Sequence, residues 1–161
     1  MKSVSKLGWA AYGLMLVVVA LDQAVKYWIV QVLDLPSQMT VPVIGPFHLS
    51  FVQNTGVSFG LLQADAAMVR WGLTLFSLVV AVVLIAWARR PERAVAAVGL
   101  GLIIGGAIGN AIDRARLGYV VDFLDFQRLG FFPWVFNVAD SAITVGVILL
   151  LADSVRRDRT A

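Results

Sequence analysis

Apolar positions gather into four long runs, at about residues 7–28, 69–88, 94–113 and 132–153. Each is near the ~20 residues a helix needs to cross a hydrocarbon core of roughly 30 Å, so four transmembrane helices are predicted. Between the first two runs the pattern changes. In TVPVIGPFHLSFVQNTGVSFGLL, residues 40–62, β-branched and aromatic side chains alternate around a turn-like Asn54-Thr55-Gly56, with Pro42, Gly45 and Pro46 as punctuation. That predicts a small β-hairpin or curled sheet resting on the membrane surface. Between the last two runs, LGYVVDFLDFQRLGFFPW mixes aromatics with Asp122, Asp125 and Arg128. This is the composition of a short interfacial segment lying flat, aromatics in the headgroup zone and charges toward water. The pattern as a whole reads as an all-α integral membrane protein of four spans, with a small extracytoplasmic sheet after the first. Residues 1–161 form a single domain, without linker, low-complexity tract or long repeat.

Composition agrees: 60% of the residues are hydrophobic and 14% charged, against nearly half and a quarter in soluble domains. There is no cysteine, which excludes disulfides, thiolate nucleophiles and Cys-based metal sites. His48 is the one histidine, which excludes a multi-His metal centre, and no serine stands in a nucleophile-elbow context. His48 itself reads as a polar residue on a half-exposed strand. Lys2 and Lys6 ahead of an apolar run resemble a secretory signal, but three further apolar segments favour an uncleaved signal-anchor.

The formal charge of +3 reports on topology rather than on nucleic acid, and no nucleic-acid partner is expected. Lys2, Lys6, Arg89, Arg90, Arg93, Arg156, Arg157 and Arg159 put eight of the thirteen Lys and Arg on one side. The positive-inside rule makes that side cytoplasmic, with both termini inside. Residues 29–70 and about 114–131 then face outward.

The polar residues in or beside the spans are Asp22, Lys26, Asn110, Asp113, Asn137 and Asp140. At 1.5 Å rise per residue, Asp22 lies about 22 Å, Asn110 about 24 Å and Asp140 about 18 Å from the inner boundary. They form one layer in the outer half. A carboxylate in hydrocarbon is costly unless paired, hydrated or neutral, so acids gathered at one depth predict a shared pocket open to outer water.

Several members also have a plain structural reading. Asp22 and Lys26, spaced i, i+4, suit a helix-surface ion pair. Asp113 and Arg114 suit an anchor at the end of the third span. Asp125, three residues before Arg128, suits an interfacial ion pair. Gly101, Gly105 and Gly109 recur every fourth residue, which predicts close helix packing. Asp140 has no cation nearby in sequence and must stay protonated or share a proton. Two carboxylates sharing one proton can activate a water and protonate a scissile carbonyl, as in aspartic proteases. Asp122, Asp113, Asp22 and Asp125 are candidate partners; geometry ranks Asp122 first without deciding.

These residues fall in an ordered set of motifs: Asp22-Gln-Ala-Val-Lys26, Gln53-Asn54-Thr55-Gly56-Val57-Ser58-Phe59, Gly105 to Arg114 (GGAIGNAIDR), Val120-Val121-Asp122-Phe123 and Phe136-Asn137-Val138-Ala139-Asp140. Over essentially its whole length the chain resembles bacterial lipoprotein signal peptidases, signal peptidase II. The resemblance implies an aspartyl endopeptidase of the bacterial cytoplasmic (inner) membrane, with its active site near the outer face. It implies removal of signal peptides from diacylglyceryl-modified prolipoproteins, with cleavage on the amino side of the lipidated cysteine. By similarity the catalytic acids are Asp122 and Asp140. Asp22, Lys26, Asn54, Gly56, Asn110, Arg114, Asn137 and Ala139 match positions that shape or support the site. Membrane lipids and globomycin-type cyclic peptides are the further partners implied, with no metal or organic cofactor and a monomeric state. The rival readings are a small proton-coupled transporter or channel subunit, and a membrane protein whose polar residues serve assembly alone.

Overall fold

A computed structural model describes residues 3–56, 66–130 and 133–158. Helix α1 (Lys6–Tyr27) starts where Ser5 Oγ accepts from Gly8 N, and it runs on as π-helical turns through Trp28–Val32. A short α2 (Leu35–Gln38) leads into strands β1 (Thr40–Ile44) and β2 (Phe47–Asn54). Then follow α3 (Ala66–Trp87), α4 (Ala94–Leu117), β3 (Val120–Asp125), a 3-10 turn at Gln127–Leu129, β4 (Val135–Phe136) and α5 (Val138–Asp158). Among the described residues four helices are long and apolar enough to cross a membrane.

Helix α4 is the axis of the bundle: two-thirds of its apolar window is buried, against about a fifth or less in the other three. Its glycines explain how. Gly101 backs onto the Ala11 carbonyl, Gly105 onto Val18, Gly106 onto the Ala139 carbonyl, and Gly99 meets Gly146 of α5. A Cβ at any of these would strike a neighbouring backbone or side chain, so the close packing expected of the glycine repeat is present. The third span extends past its expected end at 113 to Leu117, where Gly118 (φ +90°) closes it.

The sheet is antiparallel with order β1-β2-β3-β4. It sits where α1 and α4 end and where α3 and α5 begin. Three expectations are corrected here. The hairpin turns at Gly45-Pro46, not at Asn54-Thr55-Gly56, because Gly45 accepts φ +52° and lets Ile44 pair with Phe47. Asn54 instead ends β2, and its Oδ1 accepts from Gly56 N at 2.8 Å. Secondly, the segment after α4 does not lie flat: Val120–Asp125 is an almost wholly buried strand. Val121 and Phe123 enter an apolar cluster with Ile29 and Leu35, and Asp122 projects to the opposite face. Thirdly, the fourth helix begins at Val138 rather than at 132, since Val135 and Phe136 are held as β4 against Asp125 and Leu124. Phe132, Lys2, Arg159 and the motif residues Val57, Ser58 and Phe59 lie outside the described residues, and the side chains of Arg156 and Arg157 do too.

Candidate active site

Two acids meet beneath the sheet. Asp122 comes from β3 and is 1% exposed. Its Oδ2 accepts from Asn54 Nδ2 at 2.9 Å and its Oδ1 from Asn137 Nδ2 at 2.6 Å. Burial pushes its carboxyl up to about 6; the Asn54 bond opposes this, the Asp140 charge adds to it, and Asn137 and Lys26 oppose it. Asp140 comes from the first turn of α5. Its Oδ1 accepts from Asn110 Nδ2 at 2.7 Å, and its backbone N–H donates to Asn137 Oδ1 at 2.9 Å. Asn137 therefore caps α5 with its oxygen and holds Asp122 with its nitrogen. An acid in a spanning segment is tolerable here because it stands at a helix N-terminus, where free N–H groups and the helix dipole favour it.

The other polar residues form a second buried cluster behind this pair. Lys26 Nζ lies 2.9 Å from Asp22 Oδ2, 2.7 Å from Asp113 Oδ2 and 3.2 Å from Asn110 Oδ1. An ammonium has three donors, so this lysine is saturated. Asp22 Oδ1 accepts from Ala139 N at 2.9 Å, and Asp113 Oδ2 accepts from Val121 N at 3.1 Å. Gln23 Nε2 donates to Asp113 Oδ1 at 2.9 Å.

This arrangement corrects four plain readings. Asp22 and Lys26 are not a surface pair, being 0% and 4% exposed. Asp113 does not cap the end of its helix; it faces inward to Lys26. Asp125 accepts from Ser50 Oγ and Gln127 N, and among the described residues it forms no ion pair with Arg128. His48 is buried on β2 rather than half-exposed, its Nδ1 3.1 Å from the Pro46 carbonyl. Three of the four acids considered as partner to Asp140 are thus engaged elsewhere, and Asp122 alone shares a bridging side chain with it.

Arg114 stands beside Asn110 in a cavity of about 330 Å³ between α3, α4 and α5, and its buried Nε has no hydrogen-bond partner among the described residues. Ala139 is fully buried, its N–H on Asp22 and its carbonyl against Gly106. Gly56 takes φ +80°, and a Cβ there would run into Leu73. Arg70, absent from the sequence reading, donates to the carbonyls of Arg114 (2.7 Å) and Ala115 (2.6 Å), tying α3 to the end of α4. Its only signal is a cation beside Trp71, over which it stacks at 4.8 Å.

Two further cavities open onto the acids. A polar groove of about 270 Å³ joins Asp122 to Gln53, Asn54, Gly56 and Gln127. An apolar one of about 500 Å³ joins Asp140 to Trp134, Phe136, Thr144 and Val145. Among the described residues no group of three or more His, Asp or Glu side chains is arranged to hold a metal ion.

A spanning bundle with a buried, amide-bridged carboxylate pair under a small sheet defines a multi-pass membrane protein with an acid-pair site. The sequence profile of Signal peptidase (SPase) II matches residues 14–156. The chain is 52% identical to the lipoprotein signal peptidase of Caulobacter vibrioides, over 94% of this chain and 90% of that one. It is 40% identical to that of Pseudomonas syringae pv. tomato, over 98% and 91% of the two chains. A bacterial membrane enzyme solved by the in meso method at 1.9 Å superposes with a TM-score of 0.76 at 27% identity, over 95% of this chain and 96% of that one. The chain belongs to the signal peptidase II family, and it is a protease by that membership.

Proposed function

We propose that the chain is an intramembrane aspartyl endopeptidase that removes signal peptides from diacylglyceryl-modified prolipoproteins, cutting on the amino side of the lipidated cysteine. The observation that carries this reading is Asn137, bonded through its two ends to Asp122 and to the Asp140 backbone. One carboxylate takes a proton from a water as that oxygen attacks the scissile carbonyl carbon. The other gives its proton to the carbonyl oxygen. Collapse of the tetrahedral intermediate returns that proton, and the first acid passes its own to the departing amine, so the pair ends as it began. The Asp122 carboxyl, raised to about 6, suits the proton-sharing this needs.

The positive-inside orientation supports a cytoplasmic membrane protein with both termini inside and the sheet outside. Residues 1–161 act as one peptidase domain and as a monomer. The polar groove suits an extended backbone, with Asn54 and Gly56 at its edge. The apolar cavity beside Asp140 suits an acyl or signal-peptide side chain, and globomycin-type cyclic peptides would compete there. Arg114, with an unsatisfied donor, is available to a carbonyl of the substrate.

The decisive experiment is cleavage of a lipidated preprotein by purified protein. Asp122→Asn and Asp140→Asn are each expected to abolish it, while EDTA leaves it unchanged. Wild-type cleavage by either folded variant would refute the dyad. A proton-coupled transporter would need polar residues toward both faces, whereas the buried residues of α1 are Gly8, Ala11 and Val18 until Asp22 and Lys26.

A further inference from the structure

Each acid of the pair follows a backbone N–H that is gripped by another carboxylate. Asp113 Oδ2 accepts from the N–H of Val121, the residue before Asp122. Asp22 Oδ1 accepts from the N–H of Ala139, the residue before Asp140. Both gripping carboxylates hang on one ammonium, Lys26 Nζ, at 2.7 and 2.9 Å. A third arm runs from Lys26 to Asn110 Oδ1 (3.2 Å), and Asn110 Nδ2 reaches Asp140 Oδ1.

We infer that Asp22, Lys26 and Asp113 form a yoke that sets the separation of Asp122 and Asp140, which makes Asp113 a positioning residue for the reaction. The backbone does not fix that separation by itself. Among the described residues strand β4, which leads into α5, pairs with β3 only at Leu124 and Asp125, past Asp122. Nor is stability a sufficient reason for the cluster. Buried ions are often replaceable by well-packed apolar side chains at no loss of stability, so a geometric task is the reading we infer for them. Here the task is visible: the carboxylate oxygens end on the N–H groups that aim the two acids, and Gln23 steadies Asp113 from behind. Gly109 completes the fit, since a Cβ there would stand 2.7 Å from Asp22 Oδ2.

The inference rests on the proposed peptidase reading. It is tested with the purified full chain in lipid nanodiscs, on a lipidated preprotein, with competent sites counted by titration with a tight-binding active-site peptide inhibitor. Asp22→Asn and Asp113→Asn are each expected to lower kcat per competent site by about 10²-fold, the scale of a 1 Å misplacement, with KM little changed. The double variant is expected to lose no more than the worse single one, because the yoke breaks only once. Wild-type kcat per competent site, or losses that multiply in the double variant, would overturn the yoke. Should the Asn variants not fold, Asp113→Glu decides alone. It keeps the charge but lengthens the arm, so a lowered kcat at unchanged KM supports the yoke and a wild-type kcat overturns it. Asp122→Asn and Asp140→Asn run in parallel. If either cleaves normally, the peptidase reading fails; if both are inactive while the yoke variants keep kcat, only the yoke fails.

Discussion

Asn137 donates to Asp122 across 2.6 Å while its own oxygen caps the helix that bears Asp140. One buried amide thus serves a strand and a helix at once. Asn137→Ala should cost about 1 kcal/mol for the lost cap and about 1.5–3 kcal/mol for the bond to a charged group. Thermal unfolding in detergent checks the first effect. Cleavage kinetics check the second, with kcat expected to fall further than the stability loss explains.

Cleavage should weaken as the pH rises past the titration of the acid pair. Burial raises the Asp122 carboxyl to about 6, so the pair loses its last proton as the pH climbs through that region. A mechanism needing one shared proton therefore predicts kcat/KM falling on the alkaline side, with apparent values that belong to the pair. The Asn54 bond favours the ionised form. Asn54→Ala should accordingly move the alkaline limb to higher pH; a limb that stays put, or moves down, would contradict the assignment.

Glycine substitutions should separate the site from the bundle surface. Gly109→Ala presses on the Asp22 carboxylate and should abolish most activity. Gly72→Ala, with nothing within 4 Å of the added carbon, should cleave like wild type and unfold no earlier. Activity and unfolding temperature of the two proteins, measured side by side, make the comparison.

Arg70→Ala removes two charge-assisted bonds to the last carbonyls of α4. A loss of about 1.5–3 kcal/mol each is the upper range for such bonds, and solvent exposure of Arg70 should reduce it. Hydrogen exchange at residues 114–118 should quicken in the variant, and Arg70→Lys should restore only part of the protection.

Much of this was legible in the order of residues. Apolar runs located the spans, because bilayer thickness leaves little freedom in helix length. Depth by helical rise brought Asp22, Asn110 and Asp140 to one layer, and the three are linked through Lys26 and Asn110. What failed had local causes. VVDFLD carries no helical period, but the aromatics in and around it suited a membrane surface as well as a strand. Only pairing with β2 decides for the strand, and that pairing joins residues far apart in sequence. Phe132–Asn137 reads as the start of a span, being apolar, and sheet pairing at Val135 and Phe136 overrides it. Asp113 looked like an end cap since the helix was expected to stop there. Four more helical residues turn it inward, on the face it shares with Asn110. Asp122 as the partner of Asp140 came from the family motif; periodicity alone left four candidates.

The late start of α5 has a consequence for the lipid around it. Helix α5 begins at Val138 and has 21 residues, about 31 Å of rise, so Asp140 stands in its first turn, at the end of its span. A helix of that length matches a hydrocarbon core of roughly 30 Å, which leaves its first turn at the edge of the lipid rather than within it. Headgroup hydration would then reach the level of Asp140 without distortion of the bilayer. A hydrolase embedded in oil needs a water molecule at each turnover, and an acid at the end of its span meets that reactant while the acyl chains stay submerged.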